Sequence, residues 1–268
     1  MYVVSHLSDD LSLEAIAGAV GVSRFHLSRA FGVTVGCPLA LYVRSRRLSR
    51  AAQALAAGAP DILAVALDIR YGSHEAFTRA FRQQFGLSPE QLRERGHLEG
   101  VDLMPPVHLP GAADTAIAKP RVVRSDAILI FGLSERHQGS NARIPSQWDR
   151  FVPHLGRIDH QIGRDTFGVI CNTDDAGTME YVCGVQVSEF PEHPKEFARL
   201  RIPPQTYAVF RHPDHVSAMA NTWKAIWNSG LSGAGLEAAD GPALERYGEA
   251  FDGRTGLGGF EIWVPVKV

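Results

Sequence analysis

The chain has 268 residues, a formal charge of −2, 45% hydrophobic and 21% charged residues, which suits two ordinary cores and excludes a disordered or highly charged polymer. No apolar run reaches membrane-spanning length and the opening MYVVSHLSDD lacks a basic start, so a soluble, cytoplasmic protein without a membrane partner is expected. Cys37, Cys171 and Cys183 are odd in number and far apart, which points to reduced thiols rather than a disulfide framework.

In chain order, residues 1–100 carry only helical patterns. Ser12 is placed to cap a helix whose apolar face is Leu13, Ile16 and Val20, and Gly21 can supply a tight turn. Ser23 then caps a second helix, with Leu27, Ala30, Phe31 and Thr34 inward and Phe25, Ser28, Arg29 and Gly32 outward. Fifty residues on, Ser28-Arg29-Ala30-Phe31 recurs as Thr78-Arg79-Ala80-Phe81, with Phe77, Ala80 and Phe81 inward and Glu75, Thr78, Arg79 and Arg82 outward. Two helix-turn-helix units are therefore expected. A helix held on its apolar side and offering Arg and Ser on the other suits a DNA major groove.

The span from Pro38 to about Ala56 predicts one connecting helix, roughly 28 Å long at about 1.5 Å per residue, close to one DNA turn. Ser23 to Arg50 holds six arginines and no acid, and Arg44, Arg46, Arg47 and Arg50 on the connector are expected to meet phosphates. Residues 101–119, rich in Pro, Ala and Gly, are expected to be a linker.

These residues carry a resemblance. The run Ser73-His74-Glu75-Ala76-Phe77-Thr78-Arg79-Ala80-Phe81 with Phe85-Gly86-Leu87-Ser88-Pro89 resembles the signature of the AraC/XylS family, and the likeness extends over residues 1–97. It implies base-reading roles for Arg24, Phe25, Ser28 and Arg29 in the first unit and for His74, Glu75, Thr78 and Arg79 in the second. A structural ion pair is the competing role for Arg29 and Arg79, and burial in the core is the competing place for Phe25. Two departures stand out. Arg70 occupies a turn position where the family has Gly, implying a left-handed backbone, and the first helix begins late relative to the family, so it is short or Met1 is not the true start.

From residue 120 onward, β-α-β-β is expected twice: Val122–Leu133, Ser146–Ile162, Phe167–Asn172, Tyr181–Val187, then Thr206–His212, Val216–Ser229, Leu244–Phe251, Phe260–Val266. Two such units side by side would enclose a cleft. Alternation along the last strand puts Phe260, Ile262 and Val264 on one face and Glu261 and Trp263 on the other. Glu261 is either exposed or buried with a partner, because an unpaired buried carboxylate is costly.

Residues 120–268 resemble the GyrI-like effector-binding domain through Ile202–Phe210, Thr222–Trp227, Glu245-Arg246-Tyr247 and Glu261-Ile262-Trp263-Val264-Pro265. The resemblance implies that Glu261 lies in a ligand cleft with Phe167, Tyr181, Trp223, Trp227, Tyr247 and Trp263 as walls, though each aromatic could equally be plain core. An acid among aromatic rings favours amphipathic or cationic ligands.

The expected architecture is multidomain: an all-α tandem helix-turn-helix domain over residues 1–100, a linker over 101–119 and an α+β domain over 120–268. This is the order of Rob-type regulators. It implies a transcription activator whose partners are double-stranded DNA, a small-molecule effector and RNA polymerase. The rival class is a hydrolase using Glu261 as base with Tyr181 or Tyr247 as helper. No cofactor is expected. His212 and His215, separated by Pro213 and with no third ligand cluster, do not make a metal site.

Overall fold

A computed structural model describes residues 6–9, 11–20, 24–107, 117–138, 143–174 and 177–267. The chain divides into two compact units, residues 1–21 with 37–108, and residues 22–36 with 109–268. None of the helices among the described residues is long and apolar enough to cross a membrane.

The first unit is helical. Helix α1 (Leu13–Val20) starts where Ser12 Oγ accepts from the Ala15 amide. Helix α2 (Arg24–Val35) groups with the second unit, and the expected turn and cap at Gly21 and Ser23 lie outside the described residues. Helix α3 (Leu39–Ala56) is the expected connector. Helices α4 (Ile62–Asp68), α5 (His74–Phe85) and α6 (Pro89–Arg95) complete the unit. Each of these three opens on a capping side chain: Asp61, Ser73 and Ser88, the last in a capping box with Gln91.

The second helix-turn-helix is organised by one apolar cluster. Leu48, Ala52 and Leu55 from α3 meet Ile62 and Ala66 from α4, Phe77 and Phe81 from α5 and Leu92 from α6. Tyr71, Phe77, Phe81 and Phe85 form an edge-on ladder with centroid spacings of 5.6, 5.4 and 4.7 Å.

Arg70 adopts φ +71°, as the family comparison of its turn position implies. Its amide donates to Leu67 O and the Tyr71 amide to Ala66 O, the bond pair of a Schellman ending normally built on glycine. Arg70 is exposed, so no buried contact is lost on substitution. Arg70→Gly is expected to raise stability by about 0.5–1 kcal/mol, the left-handed strain relieved less the extra unfolded-state entropy of glycine. A urea midpoint that does not rise would refute the strain.

Residues 101–107, the first part of the expected linker, dock on the helical unit. Val101 and Leu103 pack against the apolar cluster, the Met104 amide donates to Ser49 Oγ at 2.9 Å, and the Val107 amide to Tyr42 Oη at 2.9 Å. Local composition does not reveal this docking, because the backbone amides find hydroxyl partners on α3 that are distant in sequence.

The second unit carries nine strands among its described residues, in the order β1-β6-β9-β8-β3-β4-β2-β5, with β7 added to β9. They are β1 (Arg121–Ser125), β2 (Ile128–Gln138), β3 (Gln161–Cys171), β4 (Thr178–Val187), β5 (Ala198–Ile202), β6 (Gln205–His212), β7 (Glu237–Ala238), β8 (Ala243–Tyr247) and β9 (Phe260–Lys267). Helix α7 (Ile144–Phe151) follows β2, and helix α8 (Met219–Ala225) follows β6 and continues into a π-helical turn, Ile226–Gly230.

The repeat differs from β-α-β-β in one respect. The expected strand Val122–Leu133 is two strands, and β5 is added before β6, so each copy reads β-β-α-β-β, with the two-residue β7 an extra strand of the second copy. The copies exchange first strands, since β1 pairs with β6 and β5 with β2, while β3 and β8 pair antiparallel at the seam. One sheet face, with Phe131, Tyr181, Phe210, Tyr247, Phe260 and Ile262, packs with the two helices. Ile130, Phe167, Val169, Val182, Tyr207, Leu244 and Trp263 form a separate core on the other face.

Candidate functional site

The alternation expected along β9 is observed, and it separates two groups of residues. Phe260, Ile262 and Val264 lie in the helix-covered core, whereas Trp263 belongs to the opposite core. Phe167 lies there too. The single aromatic cleft expected around Glu261 is therefore not formed, because strand residues of opposite parity cannot share a face.

The acid among the rings is Glu245. It is only 4% exposed. Tyr181 Oη donates to its Oε2 at 2.8 Å, Tyr247 Oη donates to the same oxygen at 3.2 Å, and Trp223 Nε1 donates to Oε1 at 3.1 Å. Trp148 Nε1 donates to Tyr181 Oη at 3.1 Å, and its ring meets Tyr247 edge-on at 5.5 Å. Trp227, on the π-helical turn, stacks on Trp223 at 6.3 Å and 12°. Phe251 and Phe260 close the far side of Tyr247 at 4.7 and 4.8 Å.

Four of the seven expected ligand residues, Tyr181, Trp223, Trp227 and Tyr247, are thus brought together. Glu245 and Trp148 are the residues that sequence reasoning missed. A signal was present: Glu245 shares strand parity with Tyr247, and Trp148 stands in the first copy where Trp223 stands in the second.

Buried polar side chains hold the two indoles in place. Gln147 Nε2 donates to Leu133 O and to Tyr181 O, both at 2.8 Å, so its Oε1 accepts from His137 Nε2 at 2.7 Å. This straps α7 across β2 and β4 immediately before Trp148. In the second copy the pair is His212 Nδ1 with Thr222 Oγ1 at 2.7 Å, immediately before Trp223. With Nε2 of His212 on His215 O at 3.1 Å, both of its ring nitrogens are occupied. Among the described residues no group of three or more His, Cys, Asp or Glu side chains is placed to hold a metal ion.

Burial, and after it the negative charge of Glu245, push the Tyr181 and Tyr247 hydroxyls well above the ordinary tyrosine value. Both stay protonated and donate to the carboxylate. Because the folded values are raised, their contribution to stability is complete below about pH 10, the unfolded value, and falls as pH rises past it, by about 1.4 kcal/mol per pH unit for each phenol. Urea midpoints should therefore drop as pH rises above about 10. Tyr181→Phe should flatten that drop; an equal drop in the variant would remove the cause.

Glu261 is held on the other face. Arg121 Nη2 contacts its Oε1 at 2.6 Å, Arg246 Nη1 lies 3.8 Å from Oε2, and Trp263 Nε1 donates to Oε2 at 3.0 Å. Neither Tyr181 nor Tyr247 shares its face, so the acid–tyrosine pair expected of a hydrolase is not formed by Glu261.

Of the residues expected to face DNA, His74, Glu75, Thr78, Arg79 and Arg82 line one shallow depression on α5, with Glu75, Arg79 and Arg82 exposed and Thr78 half-buried. His74 Nε2 sits 3.1 Å from Glu90 Oε1. In the first module Arg24 is exposed, and the side chains of Phe25 and Arg29 lie outside the described residues. Ser28 is a correction: it is 6% exposed rather than outward-facing, on a helix grouped with the second unit. Helical periodicity assigns an arc, and what covers that arc is a tertiary matter.

The connector arginines need correction as well. Arg46 is 9% exposed and donates to Met104 O at 2.5 Å. Arg47 donates to Leu7 O and Asp9 O at 2.8 and 2.6 Å. Arg44, still exposed, donates to Gln83 Oε1 at 3.0 Å. Guanidinium groups expected on phosphates thus bind neighbouring chain segments, since carbonyl oxygens satisfy the same fork.

Comparison with known proteins agrees with both halves. A model of the family described as integron-associated effector binding protein matches residues 121–266, and a helix-turn-helix domain model matches residues 16–95. The transcriptional regulator Rob of Salmonella typhimurium is 24% identical over 265 residues, covering 96% of this chain and 91% of that one. The right origin-binding protein of Escherichia coli is 38% identical over 109 residues, or 41% of this chain and 38% of its own length. Among solved structures, SAV2435 bound to tetraphenylphosphonium aligns at 17% identity with a TM-score of 0.47, over 56% of this chain and 94% of that one.

Proposed function

Since the chain belongs to the integron-associated effector binding protein family and carries an AraC-type helix-turn-helix domain before that region, we propose that it couples DNA binding to a lipophilic cation held at Glu245. It is a DNA-binding transcription regulator with an effector-binding domain. The observation that carries the ligand class is the buried Glu245 carboxylate, which receives neutral O–H and N–H donors inside a box of aromatic rings. A carboxylate set among aromatic rings offers a cation its charge, and desolvated ring faces attract a cation through their quadrupoles. A large, weakly hydrated cation loses little water on entering and gains both terms.

The regulator acts in the cytoplasm, where α5 reads a major groove, and it serves as an activator that meets RNA polymerase at the promoter. Arg79→Ala should cost about 1–3 kcal/mol at the preferred site and little at other sequences, measured by competitive DNA binding. A uniform loss on every sequence would reassign Arg79 to a phosphate. For the box, tetraphenylphosphonium at about a hundredfold excess over its Kd should raise Tm by about 5 °C or more. Triphenylphosphine oxide, of similar shape but neutral, should not. Equal shifts from the two would remove the charge argument.

A further inference from the structure

Strand β8 carries the box on one face and a second network on the other. Glu245 and Tyr247 face the aromatic box, while Arg246 between them faces away. Its Nε donates to Asp165 Oδ2 at 2.6 Å, its Nη2 sits 2.5 Å from the same oxygen, and its Nη1 lies 3.8 Å from Glu261 Oε2. Glu261, on β9, takes Arg121 of β1 at 2.6 Å. The result is an alternating chain, Asp165–Arg246–Glu261–Arg121, that starts on β3, crosses β8 and β9 and ends on the edge strand β1.

Trp263 is the floor of this chain. The guanidinium groups of Arg121 and Arg246 each lie 5.7 Å from its ring centroid, and its Nε1 donates to Glu261. Both arginines of the network therefore rest on one buried ring. On β9 the neighbouring residue Phe260 packs against Tyr247 in the box. A shift of β8 or β9 that reseats Glu245, Tyr247 or Phe260 must also move Arg246 or Glu261, because alternate residues of one strand share a rigid backbone.

We propose that Arg246 is a positioning residue for the Glu245 box, and that the Asp165–Arg246–Glu261–Arg121 chain transmits occupation of the box to edge strand β1. The strand is suited to receive such a signal. It is five residues long, forms its ladder with β6 alone among the described residues, and is largely exposed, so it opens readily and even a weak tie at Arg121 registers in its exchange.

This rests on the reading of the box as a cation site, and the test separates the two. Hydrogen exchange of the β1 amides is followed in the full chain with and without saturating tetraphenylphosphonium, for wild type, Glu261→Gln and Arg246→Met. Without ligand, Glu261→Gln should speed β1 exchange about threefold, the scale of a half-exposed ion pair. Saturating ligand should change β1 exchange in wild type, and that response should vanish in Glu261→Gln although the cation still binds. Arg246→Met should both lose the response and lower affinity for the cation severalfold, with Arg246→Lys restoring part of each. Saturation of wild type with no change at β1, or an undiminished response in Glu261→Gln, overturns the coupling alone. No binding of the cation to wild type overturns the box and the coupling together.

Discussion

Glu245→Gln is expected to weaken tetraphenylphosphonium binding about a hundredfold, the loss typical of removing one charge from a desolvated pair. The carboxylate lies 4% exposed and is fixed by Tyr181, Tyr247 and Trp223, so solvent screens it little. Glutamine keeps the shape and one acceptor oxygen but turns the other into an amide donor. With its oxygen kept on the donor-only Trp223 N–H, the amide donates to the two tyrosine hydroxyls, so the hydrogen bonds persist in reversed direction and the loss isolates the charge. Isothermal titration would measure the change. The mirror substitution, Glu261→Gln, should leave affinity within a few-fold, because Glu261 lies on the other face against Arg121 and Arg246. If Glu261→Gln abolishes binding and Glu245→Gln does not, the site belongs on that other face.

Gly168→Ala is expected to abolish cation binding and to destabilise the domain by about 1–3 kcal/mol, the range for forcing extra volume into a packed core. Gly168 pairs with Glu245 across the β3–β8 ladder. A Cβ there would stand 2.0 Å from Tyr181 Oη, 2.7 Å from its Cζ and 2.8 Å from Glu245 Oε2. Tyr181 cannot give way easily, being fully buried and held by Trp148 Nε1 on one side and Glu245 on the other. The methyl therefore separates the phenol from the carboxylate it serves. Gly248→Ala is the control on the neighbouring strand end, where the nearest atom to a new Cβ is Asp165 Oδ1 at 3.7 Å. It should leave the urea midpoint and cation affinity close to wild type. An equal loss in both variants would mean that glycine matters there for the backbone and not for the box.

The two halves of the sheet domain are alike in framework and unlike in chemistry. His137 with Gln147 matches His212 with Thr222, and Trp148 matches Trp223. At the seam, Gly168 faces Glu245 and Ile170 faces Ala243. The near-symmetric partner of Glu245 is thus Ile170, buried in the same core as the box aromatics. One acid in a two-fold framework makes the two halves chemically unequal, so a single cation per chain is the expected stoichiometry of the proposed site.

Much of this organisation was legible from residue order alone. The recurrence of Ser28–Phe31 at Thr78–Phe81 marks the two helix-turn-helix units and Ser12 marks a helix start, each through a few neighbouring residues and backbone chemistry that acts locally, while the left-handed turn at Arg70 followed from the family resemblance. Alternation also divided β9 correctly into two faces. What it could not reveal was which face the helices cover, because a period of two is the same whether a side chain meets α8 or water. That choice made Glu245, and not Glu261, the acid of the box. It also turned Arg46 and Arg47 from phosphate ligands into ties for Met104, Leu7 and Asp9, and laid residues 101–107 along α3. All of these depend on partners brought close by the fold from far along the chain, where burial and charge are settled by three-dimensional neighbours and not by sequence neighbours.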